Sequence, residues 1–175
     1  KIAAAAAKSM VTGDPNAEET FLGPISNKTQ YEKVQELIES GIKEGAELAC
    51  GGLGRPDGLD KGFFVKPTVF GNVKNNMRIA QEEIFGPVIS LIPYKDLDEA
   101  IAIANDTVYG LSSMVSCADV TKGQEVAKKI RAGQVILNRI SRGDYPAPFG
   151  GFKMSGNGRE HGSFGIEEYL EVQAV

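Results

Sequence analysis

The sequence predicts an α/β fold in which a largely parallel sheet is flanked by helices, and three observations carry that reading. Short apolar runs of strand length alternate with helical segments that carry their own capping residues. Two of those runs, "VISLIPY" (88 to 94) and "QVILN" (134 to 138), are too continuously apolar for a half-exposed sheet, as expected of strands covered on both faces. The chain has 175 residues, enough to bury one domain core without disulfide staples.

The elements follow in order. "KIAAAAAKSM" is a strong helix former with no cap before it; it reads equally as the second half of a longer helix or as a processed terminus. "TGDPNAEETFLGP" is turn chemistry built on Gly13-Asp14-Pro15 and Gly23-Pro24. Asn27 then caps a helix, with Gln30 expected to reach back in a capping box. Tyr31, Val34, Ile38 and Ile42 form its apolar stripe and Gly45 its left-handed stop. "AELACGG" predicts a short buried strand, and Pro67 makes "FFVKPTVF" an edge strand or extended segment.

After "VISLIPY", Asp96 and Glu99 supply a cap and capping-box partner for a helix through Ile101 and Ala104. "LSSMVSC" is a further short strand. Asp119 caps a helix through Val126 and Ile130, with Lys128, Lys129 and Arg131 at its negative end and Gly133 as its stop. Residues 139–162 are too rich in glycine and proline for regular structure, and their aromatics Tyr145, Phe149 and Phe152 argue for a pocket-lining loop. The tail "EEYLEVQAV" alternates as a strand does and has no hairpin partner nearby, so it wants a neighbour, in another subunit for instance. No repeat or linker interrupts the chain, which predicts one compact unit.

Composition narrows the function. A net charge of −4 disfavours nucleic-acid or anionic-membrane binding, and no apolar run is long enough to span a bilayer. Cys50, Cys117 and the single histidine, His161, lack metal-ligand spacing, and the cysteine usage fits a reducing cytoplasm. Neither cysteine has a histidine nearby, so both read as structural rather than nucleophilic. The glycine-rich stretch matches neither dinucleotide nor P-loop fingerprints.

"QEEIFGPVISLIPY" (81 to 94) is different, because Glu82 and Glu83 run straight into an apolar segment. Two readings stand at this point. Either the pair bonds backbone N–H groups in a loop, or one carboxylate accepts hydrogen bonds from a ligand's hydroxyls while Phe85 offers a flat apolar face. A ribose diol carrying an aromatic ring suits the second. A hydrolase built on Glu82 and Glu83 finds no partner acid or base.

Three motifs in register, "EEIFGPV" (82 to 88), "NDTVYGLSSMV" (105 to 115) and "PFGGFKMSGNGRE" (148 to 160), resemble the C-terminal part of the NAD(P)-dependent aldehyde dehydrogenases. "GDPNAEETFLGPIS", "GFFVKPTVF" and "MRIAQEE" extend the resemblance along essentially the whole chain. The resemblance implies that residues 1–168 are part of a catalytic domain and that 169–175 form a strand joining a partner subunit in a homo-oligomer. It implies that Glu83 holds the nicotinamide ribose, that Phe85 contacts the nicotinamide ring and that Phe149 lies where the aldehyde enters. Glu160 is similar to a family glutamate near the general base with a role in proton transit.

Such enzymes oxidise an aldehyde to a carboxylic acid with NAD or NADP through a cysteine thioester. The family's nucleophilic cysteine, its general-base glutamate and its dinucleotide-binding domain lie upstream of the matched region. The chain is therefore expected to be a C-terminal fragment, inactive and without bound cofactor by itself. The other expectation is a short non-enzymatic interaction module.

Overall fold

In the computed structural model, which describes residues 1–139 and 146–175, the chain forms two compact units, Lys1–Pro93 and Tyr94–Val175, where the sequence suggests one. Each is built separately around a small sheet.

The first unit opens with helix α1 (Ile2–Ser9) and then α2 (Lys28–Lys43). Asn27 caps α2 as its side-chain oxygen accepts from the Gln30 N–H at 2.8 Å, and Gly45 follows the helix with φ +86°. Strands β1 (Glu47–Cys50), β2 (Thr68–Gly71) and β3 (Val88–Ser90) form one sheet in the order β1-β2-β3. The β1–β2 pair is antiparallel and the β2–β3 pair parallel, so this sheet is mixed.

Side-chain alternation along β2 separates two apolar layers. Phe70 packs with Val34, Leu37 and Ile38 of α2 and with Ile79 of the short helix α3 (Arg78–Gln81). Val69 packs with Ala7 of α1 and with Cys50. The α2 stripe is thus Val34, Leu37 and Ile38 with Tyr31 packed against them, whereas Ile42 is exposed.

Three strand expectations change. β2 is central, because Pro67 stands one residue before the ladder and costs it no N–H. β1 is exposed at three of its four positions. β3 covers only Val88–Ser90 of "VISLIPY", and Ile89 within it and Leu91 just after it are exposed. A continuous apolar run records what a strand can bury, and burial depends on what lies over it.

The second unit contains α4 (Leu97–Asn105), β4 (Ser112–Val115), α5 (Val120–Ala127), β5 (Gln134–Leu137), a 3₁₀ turn (Lys153–Ser155) and α6 (Gly162–Glu167). β4 and β5 pair in parallel. The Asp96 carboxylate accepts from the Glu99 N–H at 2.9 Å, and the Glu99 carboxylate accepts from the Lys95 N–H at 2.7 Å. Asp119 accepts from the Lys122 N–H at 3.0 Å.

Helix α5 ends at Ala127, before Ile130, so Gly133 is no helix stop. A Cβ on Gly133 would sit 1.6 Å from the Gly150 carbonyl oxygen, and that close crossing of two backbones is what requires glycine. Tyr169–Val175 forms no strand within this chain and is exposed throughout. Among the described residues no helix is long and apolar enough to cross a membrane.

Candidate functional site

The loop after α3 answers the question posed by the paired glutamates, and it gives the two different fates. Glu82 turns back on its own helix: its carboxylate accepts from Arg78 Nε at 2.7 Å and from a terminal Arg78 nitrogen at 3.1 Å. The other terminal nitrogen of Arg78 donates to Glu36 of α2 at 2.9 Å. This forked bond holds the Glu82 carboxyl below the usual glutamate range. Glu83 is exposed and takes part in no hydrogen bond or ion pair among the described residues. Of the two readings, backbone bonding is not what the pair does; one carboxylate is spent on Arg78 and the other is free.

Ile84 anchors the loop in the core at 8 % exposure, while Phe85 shows 68 % of its surface to solvent. Phe85 adopts φ +54°, the left-handed region that bulky L-residues avoid. Such a conformation costs roughly 1–3 kcal/mol and persists only where the surroundings impose it. Two features of α2 meet the loop here. Gln30 Nε2 donates to the carbonyl oxygens of Ile84 at 2.9 Å and Phe85 at 3.3 Å. One turn further along, Val34 lies so close to Gly86 that a Cβ there would meet Val34 Cγ2 at 2.8 Å. The expected capping box is therefore only half made: Asn27 caps the helix, and Gln30 reaches across to the loop instead of back to the cap.

In the second unit the motif around "NDTVYG" and the glycine-rich segment lock together. The Asn105 amide donates to the Lys129 carbonyl at 2.9 Å and accepts from the Arg131 N–H at 2.7 Å. Lys153 Nζ donates to the Asn105 and Thr107 carbonyls at 2.8 and 3.0 Å, beside the last turn of α4. Ser155 Oγ accepts from the Gly110 N–H at 3.0 Å, and the Gly110 carbonyl accepts from Phe152 and Gly133 at 2.8 and 2.9 Å. None of these partners was legible as such in the sequence, because each bond joins segments more than twenty residues apart and backbone acceptors leave no sequence pattern.

That lock presents Phe149 and Glu160 side by side. Their backbones exchange reciprocal N–H···O=C bonds of 2.7 Å, and both line a hollow of about 360 Å³ with Leu111, Arg159 and Glu168. The Glu160 side chain is exposed and makes no bond among the described residues. The ring centroid of His161 lies 6.3 Å from that of Phe149. Tyr145 falls outside the described residues. Cys50 is buried and Cys117 half-buried, both as free thiols, and among the described residues no cluster of metal-ligating side chains forms.

The structure therefore defines an α/β protein with one free carboxylate beside a displayed aromatic ring in its first unit and a Phe–Glu pair in its second. The family model "Aldehyde dehydrogenase family" matches residues 1–175, and the chain belongs to that family. It is 54 % identical over 168 residues to 3-succinoylsemialdehyde-pyridine dehydrogenase from a Pseudomonas species, covering 96 % of this chain and 35 % of the relative.

Among solved structures, a mutant aldehyde dehydrogenase C from Pseudomonas syringae, complexed with NAD+ and octanal, is 56 % identical with TM-score 0.92. That match covers 96 % of this chain and 34 % of the other. An aldehyde dehydrogenase from Mycobacterium tuberculosis complexed with NAD+ is 48 % identical with TM-score 0.89, covering 93 % and 33 %. The chain thus spans about a third of the length of the relatives it matches.

Proposed function

We propose that this chain is the part of an NAD(P)-dependent aldehyde dehydrogenase that holds the nicotinamide riboside and borders the aldehyde, acting together with the remainder of such an enzyme. One observation carries the reading: an unpartnered carboxylate, Glu83, stands two residues from an aromatic ring that a left-handed backbone holds out into solvent. A carboxylate is acceptor-only and suits the two O–H donors of a ribose diol, while a bare ring suits a flat heterocycle. The NAD+ complexes of the relatives from Pseudomonas syringae and Mycobacterium tuberculosis support this choice of ligand.

Each residue then has a physical task. Glu83 fixes the ribose, and so the rotation of the ring attached to it. Phe85 covers one face of the ring and excludes water there. Phe149 shapes the approach of the aldehyde, for which the octanal bound to the Pseudomonas syringae relative is an example of the class. Glu160 holds or passes a proton beside that ring. The cofactor, when bound, supplies a hydride acceptor. In the family a cysteine nucleophile and a glutamate base complete the reaction, and residues 1–175 alone are expected to turn nothing over.

The test uses the longer enzyme that contains this segment. Losing one charge-assisted hydrogen bond is worth roughly 1.5–3 kcal/mol, so Glu83→Gln is expected to raise the KM for NAD+ about tenfold or more. An unchanged KM would sink the assignment. For the chain alone, NAD+-dependent oxidation of any aldehyde by the purified 175-residue protein would overturn its expected inactivity.

An assembly role stands beside this one. Tyr169 and Val172 are 89 % and 99 % exposed in a tail of alternating pattern that forms no strand pairing among the described residues. That tail is suited to adding a strand to a sheet of another copy.

A further inference from the structure

The resemblance points to Glu83 and Phe85 but says nothing of what holds them in place, and the backbone there is one that would not persist unaided. Two carbonyl oxygens, those of Ile84 and Phe85, face the same side chain, Gln30 of α2. Carbonyls converging on one point repel an acceptor, so the amide nitrogen must occupy that position, donating to both. Val34, one helical turn beyond Gln30, closes on Gly86 and leaves the loop no room to slide along α2. The loop is thus gripped at three consecutive residues from one helix face, and Ile84 is sunk in the core between the two displayed side chains.

We propose that Gln30 is a positioning residue for cofactor binding: its carboxamide keeps the Ile84–Phe85 carbonyls turned inward, which holds Phe85 in the left-handed conformation and aims Glu83 and the Phe85 ring outward together. This rests on the reading of Glu83 and Phe85 as cofactor groups. Without the donor, the loop relaxes to a commoner backbone conformation, the ring swings away and the carboxylate loses its fixed bearing. Preorganisation is lost while the cofactor's own contacts remain chemically available, so the effect belongs in affinity for NAD+ rather than in turnover.

Three variants of the longer enzyme test it. Gln30→Met keeps length and removes both donors; it is expected to raise the KM for NAD+ about tenfold with kcat within about twofold. Gln30→Lys restores a donor and is expected to recover most of that loss, within about threefold of the parent. Gln30→Glu puts an acceptor against two carbonyls and is expected to be the weakest binder.

A role in packing alone would show as a lowered Tm with unchanged KM, and Gln30→Lys would not rescue it. If Gln30→Met fails to fold, the Lys and Glu variants decide, and equal KM values for those two would overturn the proposal. The cofactor reading fails separately, if Glu83→Gln leaves NAD+ affinity unchanged. If Glu83→Gln weakens binding and Gln30→Met does not, only the positioning role falls.

Discussion

At the scale of single residues, Phe85 carries a cost that its own packing does not return. With 68 % of its surface exposed, the ring contributes little burial, while φ +54° is strained for any residue but glycine. Phe85→Gly is therefore expected to stabilise the chain against urea by about 0.5–1 kcal/mol, even as it weakens cofactor binding in the longer enzyme. A loss of more than about 1 kcal/mol would mean that packing holds the ring there. Glu82 makes the opposite bargain. Arg78 lowers its pKa in the folded state, so the pair's contribution is fully present above the ordinary glutamate value near 4.3 and fades as pH falls through the depressed one. Glu82→Gln should lower stability slightly at neutral pH, where the pair is intact but exposed and screened by salt, and match the parent once pH has fallen through the depressed value, so the acid limb of a stability–pH curve flattens a little. The displayed pair Glu83 and Phe85 was legible from its motif alone. Gln30 was visible too, but its place three residues after Asn27 made a local capping role the natural reading, and only the fold brings residue 84 within its reach.

At the scale of elements, glycines mark the places where neighbours come too close for a side chain. Gly86→Ala forces its Cβ onto Val34, and an overpacking cost of about 1–3 kcal/mol is expected in denaturant titration of the purified chain. Gly133→Ala is expected to be worse, roughly 3 kcal/mol or more, because the atom it meets at 1.6 Å is a backbone oxygen that no rotamer change can move. Loss of the β4–β5 amide protection in hydrogen exchange would report it. Helix starts were well legible, since Asn27, Asp96 and Asp119 all accept from the backbone N–H three residues on. Strand partners were not. β2 lies centrally although proline precedes it, and the β1 and β3 runs read as buried yet sit at sheet edges, because an apolar run does not say which neighbours will cover it.

At the scale of the whole molecule, the chain folds as two compact units, with Glu83 and Phe85 in the first and Phe149 and Glu160 in the second. Exposed Phe21, Ile89, Leu91, Val120 and Phe164 are more apolar surface than scattered side chains usually present. The purified chain is therefore expected to self-associate in light scattering. Deleting Tyr169 to Val175 should lower the mass if the tail is the strand that joins copies, whereas an unchanged mass would assign association to the apolar faces instead. The reciprocal backbone pair between Phe149 and Glu160 has a consequence for how such an enzyme adapts to new aldehydes. The ring that would meet the incoming chain and the acid that would handle its proton are rungs of one ladder, so neither can be displaced without dragging the other. Variants selected at position 149 for bulkier aldehydes should come with altered pH–rate profiles, even though no titrating group has been changed.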